Sequence, residues 1–105
     1  MTKTTNGNAA RFIREGVEFE NSTSSMRGYR PWSCPQLGRL PKIYADAIIE
    51  ASEAGQLEYV IMSYATPIAW KTNKGWIIPN VRYSNTTSRH QFHAREAVRS
   101  YREDV

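Results

Sequence analysis

The stretch Tyr59-Val60-Ile61-Met62-Ser63-Tyr64, with Ile68-Ala69-Trp70-Lys71 and Trp76-Ile77-Ile78 after it, decides the fold class. The first run is continuously apolar and rich in β-formers, which predicts a strand covered on both sides. The second follows Pro67. Between the second and third lies Thr72-Asn73-Lys74-Gly75, a turn signal that predicts a β-hairpin. Pro79 cannot donate to a ladder, so the third strand is expected at an edge or at a bulge, with Val81 and Tyr83 as its continuation.

Helical signals flank this core. Leu40, Tyr44, Ala47, Ile48 and Ala51 recur at three- and four-residue intervals. Pro41 suits a first helical turn and Gly55 a stop, so a helix is predicted over 41–54. After the strands, Ala94, Ala97, Val98 and Tyr101 form a second apolar stripe, with Arg95, Arg99 and Arg102 beside it. Ser88-Arg89-His90-Gln91 fits a capping box at its start. Upstream, Phe12 to Phe19 suggests a short strand, because Gly16 weakens a helix by about 1 kcal/mol. Residues 21–41 are punctuated by serine, glycine and proline and are expected as loop. The expected fold is α+β: a small antiparallel sheet with a β-hairpin, both helices on one face, and segment 21–40 wrapped outside. Residues 1–10 are expected as a flexible N-terminal tail and 11–105 as a single domain.

The chain has 105 residues, 40% hydrophobic and 23% charged, which suits one globular domain. No stretch of about eighteen apolar residues exists to span a membrane. The start lacks the apolar run of a signal peptide. The lone Cys34 forms no internal disulfide, so a reducing cytoplasm is the expected compartment. The net charge of +4 is unevenly placed. Residues 40–61 carry Lys42 against Asp46, Glu50, Glu53 and Glu58. Residues 62–102 carry seven basic groups and only Glu96. Ten of the fourteen basic residues are arginine, whose planar fork suits phosphate and carboxylate.

Basic and aromatic residues interleave in that second half, a composition used to hold single-stranded nucleic acid. Lys71, Lys74, Arg82, Arg89, His90, Arg95, Arg99 and Arg102 are the candidate contacts, with Trp70 and Trp76 as stacking platforms. The plainer alternative makes the aromatics core and the arginines solvated surface. No zinc-finger spacing or RNA-recognition consensus is present. Ser84, Thr86, Thr87 and Ser88 precede Arg89 at a predicted helix start, where backbone amides favour an anion. A threonine-rich cap explains the same residues. His90 has the pKa of a general base, but the half around it is poor in acids, so no enzyme activity is expected. His90, His93 and Cys34 make a weak metal set, and neither metal nor cofactor is expected. A second candidate surface is the loop with Arg27, Tyr29, Arg30 and Trp32, whose composition suits a protein hot spot.

The string Ser63-Tyr64-Ala65-Thr66-Pro67-Ile68-Ala69-Trp70, with Trp76, Pro79 and Tyr83 to Gln91, resembles a group of short uncharacterised proteins of actinobacterial phages and mobile elements. The resemblance covers roughly residues 58–91 and brings no catalytic residues with it. It implies a phage-type accessory protein in the host cytoplasm. Two functions are therefore expected: nucleic-acid binding through the arginine-rich hairpin and last helix, or inhibition of an acidic host or anti-phage defence protein. A homodimer burying a tryptophan is compatible with this size. A small His90-dependent enzyme ranks behind both.

Overall fold

The computed structural model describes residues 2–5, 8–21 and 23–103, with the backbone alone for Thr2 and 99–103. In chain order the elements are β1 (Thr2–Thr4), α1 (Ala9–Glu15), β2 (Phe19–Asn21), β3 (Met26–Tyr29), α2 (Lys42–Glu53), β4 (Leu57–Ser63), β5 (Thr66–Thr72), β6 (Gly75–Ile77) and α3 (Asn85–Glu103). The six strands form one sheet in sequence order. β1 and β2 pair in parallel across the α1 connection, and every later pair is antiparallel. The architecture is α+β, with a mixed sheet and three helices.

β4 and β5 form the centre, and β4 alternates between two covered faces. Tyr59 and Ile61 join Ala9, Ile13, Phe19, Met26, Ala69, Ala94 and Ala97 in the core beneath α1 and α3. Val60 and Met62 join Leu40, Ile48 and Trp70 in the core beneath α2. Burial on both sides explains the continuous apolar run. It also corrects one expectation: α2 and α3 cover opposite faces, because odd and even residues of β4 each need a partner layer.

The N-terminal third differs most from expectation. Residues 2–4 form β1, and Ala9, at the end of the expected tail, is fully buried. The segment expected as a strand from Phe12 holds most of α1 instead. Gly16 does not weaken this helix but ends it, with φ +67° and its N–H returned to Ile13. Within the expected loop, Met26–Tyr29 is β3, paired to β2 and β4. Gly28 sits there because a Cβ would collide with the Phe19 ring and the Tyr59 hydroxyl. Of the segment expected to wrap the outside, the stretch beyond Tyr29 is loop, and its Leu37 and Leu40 pack on the α2-side core.

The hairpin of β5 and β6 turns at Asn73-Lys74, with Gly75 at φ +118°. β6 stops at Ile77, and Val81 and Tyr83 do not continue it. Residues 78–84 instead run along α3, where the Gln91 side-chain amide donates to Val81 O at 2.9 Å. α3 begins earlier than the Ser88 box implies. Ser84 is its cap, accepting the Thr87 N–H at 3.2 Å, while the Ser88 N–H already bonds Ser84 O at 2.9 Å.

Candidate functional site

Three chain segments meet at one end of the sheet: the β2–β3 turn, the β4–β5 turn and the first turns of α3. His90 is their common point and has 0% exposure. Its Nδ1 lies 2.7 Å from Ser63 Oγ, and its Nε2 lies 3.5 Å from Ser25 Oγ. Ser63 Oγ donates to Thr87 Oγ1 at 3.0 Å, and Ser84 Oγ reaches the same oxygen at 3.1 Å. On the other side, Asn21 Oδ1 accepts the N–H groups of Ser25 and Met26, and its Nδ2 donates to Ser25 Oγ at 3.0 Å. The Tyr64 ring leans against the imidazole at 6.2 Å. Tyr64 takes positive φ, 55°, and donates its N–H to Ser25 O at 2.7 Å.

The proton arithmetic of this chain sets its chemistry. Ser63 gives its hydrogen to Thr87, so it accepts from Nδ1–H of His90. Nε2 is then the acceptor facing Ser25. A base that activates a serine must accept the serine proton; toward Ser63 the ring donates instead, and the accepting Nε2 stands 3.5 Å from Ser25 Oγ, at the outer limit of a hydrogen bond. Burial pushes the His90 pKa down, and the nearby His93 adds to that, so the ring is neutral at pH 7. The assembly is a cross-brace that ties α3 to two turns.

A cavity of about 240 Å³ lies beside the brace, lined by Arg39, Ser63, Tyr64, Thr66, Tyr83, Ser84 and Thr87. Gly38, at φ +51°, lets the backbone press against Ala65 and Thr66, where a Cβ would clash. That approach lets the Arg39 N–H bond Thr66 Oγ1 at 3.0 Å. The Arg39 guanidinium lies over the Tyr83 ring at 5.7 Å. The Tyr83 hydroxyl is buried with no partner among the described residues.

A larger cleft of about 400 Å³ opens at the opposite end of β4. Tyr59, Trp76, Ile13, Ala97 and Val98 wall it, and Arg14, Arg30, Lys71, Glu15 and Glu58 stand around it. Trp76 packs edge-to-face on Tyr59, with centroids 6.1 Å apart at 72°. The Tyr59 hydroxyl donates to Val17 O at 2.8 Å, and burial pushes its pKa far up.

The outer surface is divided by the sheet. On the α2 side the helix exposes Asp46, Glu50 and Glu53, with Lys42 held on Asp46 at 2.9 Å, and the sheet adds Arg27 beside Tyr29. The α3 side exposes Arg11, Arg14, Arg82, Arg89 and Arg95 against Glu15 and Glu96. Phe92 is 57% exposed. It projects between Arg89 and Arg95 on the outer helix surface, since each residue advances by about 100°. Arg95 also reaches Pro79 O at 3.5 Å, which fixes the Arg82 segment alongside.

The family of unknown function DUF8033 matches residues 2–103, nearly the whole chain. The chain belongs to that family. No curated protein and no solved structure matches it.

The candidate residues of this DUF8033 chain fall into separate places. Arg82, Arg89 and Arg95 share the α3 side, and Lys74 is exposed in the hairpin turn. Lys71 and Trp76 belong to the cleft. Arg99 and Arg102 lie outside the described side chains. Trp70 is fully buried in the α2-side core, so it is no stacking platform. His90 is equally sealed and contacts no partner directly. In the alternative loop, Tyr29 packs in the same core as Trp70 with Arg27 over its ring at 5.7 Å. Arg30 donates to Gly16 O at 3.2 Å. Trp32 alone stands free, at 103% exposure.

Sequence reasoning missed Ser25 and Ser63 as partners of His90, Asn21 as the group that holds Ser25, and Arg14 as a residue of the cleft. Only the helical spacing of His90, Ala94 and Ala97 signalled that this histidine faces inward. Among the described residues, no group of three or more His, Cys, Asp or Glu is placed to hold a metal ion. No described helix is long and apolar enough to cross a membrane.

Proposed function

We propose that this protein is a non-catalytic accessory protein that binds nucleic acid on its α3 side. One observation carries the reading: Arg11, Arg14, Arg82, Arg89 and Arg95 are exposed together on the α3 side against Glu15 and Glu96. Arg82, Arg89 and Arg95 would meet phosphates, and the exposed Phe92 between the helix arginines offers a ring for contact. His90 is sealed from solvent, with no exposed surface to meet a substrate, which supports a binding protein rather than a catalyst. The resemblance to phage and mobile-element proteins supports an accessory role inside a bacterial cell.

The test is fluorescence anisotropy of labelled DNA and RNA across a salt series. Affinity should fall linearly in log salt, with a slope near −0.9 per neutralised phosphate on duplex DNA. Arg89→Ala with Arg95→Ala should weaken binding and flatten that slope by about one unit for each phosphate no longer neutralised. Absence of binding to any nucleic acid at low salt defeats the reading. The fully exposed Trp32 would then lead, favouring a protein partner such as a host or defence factor. Nuclease-treated pull-down with and without Trp32→Ala reads that case.

A further inference from the structure

We infer that the 400 Å³ cleft receives one unpaired nucleobase, so that the protein prefers single strands to duplex. The inference rests on the nucleic-acid reading above and deepens it to a class of substrate. The cleft lies on the α3 side of the sheet and shares Arg14 with the arginines exposed there. Its volume is within the ~300–1,000 Å³ typical of small-ligand pockets, enough for one nucleotide. Its floor is apolar, with the buried Tyr59, Ala97 and Val98 behind the half-buried ring of Trp76, and its rim is charged. The Tyr59 hydroxyl is spent on Val17 O, so the wall reads no base edge. Stacking without edge contacts tolerates every base, because each has a π-face.

The rim supplies charge for the flanking phosphates. Arg14 has no ion pair among the described residues. Among the described residues Arg30 uses only Nε, on Gly16 O, which leaves its terminal N–H groups for another acceptor. The acids of the rim are already engaged: Glu15 by Arg11 at 3.7 Å, Glu58 by Lys71 at 3.9 Å. A base inside a duplex is stacked on both sides and paired along its edge, so it does not enter such a cleft without being extruded.

The experiment uses the full chain with an oligo-dT strand and a dA·dT duplex of equal length, at low salt. Anisotropy gives both affinities, and the protein's own tryptophan emission reports on the cleft. The single strand should bind about tenfold tighter and quench emission, since stacking one base on an aromatic ring has that order of effect. Trp76→Leu should remove most of the quench and about tenfold of single-strand affinity, with duplex binding unchanged. Trp76 is half-buried, so each variant is checked by thermal melting. Arg14→Ala, on an exposed helix position, gives the independent arm and should also lower single-strand affinity. Equal affinity for strand and duplex, with neither variant affecting the difference, overturns the cleft while leaving the arginine face standing. No binding of either nucleic acid overturns both.

Discussion

At position 90 an imidazole takes the place in the core stripe that Ala94 and Ala97 continue toward the C-terminus. Its two ring nitrogens face hydroxyls from residues 65 and 27 positions away, so nothing local in the sequence announces the partners. The inward direction was legible from helical spacing, while the brace was not. Charging this ring has a clear thermodynamic sign. In the unfolded chain it titrates near 6.5, and in the folded protein burial and His93 hold its pKa lower. Between those two values the unfolded state binds more protons. Stability should therefore be complete above pH ~6.5, fall as pH drops below it, and level off under the folded pKa. Melting temperatures from pH 8 to 5 check this. His90→Ala should flatten that part of the profile. It should also cost about 1–3 kcal/mol at pH 8, through the hydroxyls left without a partner. An unchanged slope in the variant would move the effect elsewhere.

Among the elements, those set by local rules were readable. α2 lies between Pro41 and Gly55, and the β5–β6 turn occupies the Asn73-Lys74 pair between its flanking strands. The hidden elements depend on distant contacts. β3 has four residues with a glycine in the middle, poor strand material by composition. It forms because Phe19 and Tyr59 fill the space that Gly28 leaves. α1 was obscured by Gly16, which is read as a weak helical residue unless its left-handed capping role is considered. Ser84 and Ser88 both suit a cap, and the choice falls to Ser84, whose hydroxyl also reaches Thr87. Gly28→Ala should consequently destabilise the fold by about 1–3 kcal/mol or more, as overpacking does in a closed core. Gly55→Ala meets open space but must adopt φ +69°, so its cost is backbone strain alone. Urea denaturation of both variants separates clash from strain. A Gly28→Ala protein as stable as the parent would mean that the two rings can move apart.

For the molecule as a whole, the charge count was visible in the sequence but its direction was not. Placing α2 and α3 on opposite faces turns an uneven distribution along the chain into an uneven distribution in space. The shortest axis of the protein is 25 Å. In ~10 mM salt the Debye length is about 30 Å, so the charge on one face still acts across the thickness of the protein. The protein consequently behaves as a small electric dipole. Acidic side to basic side, one copy attracts the next, and this head-to-tail contact has no symmetry that closes it. Light scattering should rise on dialysis into low salt and fall again on adding sodium chloride, a salting-in response. Glu50→Lys with Glu53→Lys should abolish the rise, and scattering that ignores salt would show that the dipole is too weak to matter. Where a polyanion is present, it competes for the same positive pole, so soluble nucleic acid should disperse these chains just as salt does.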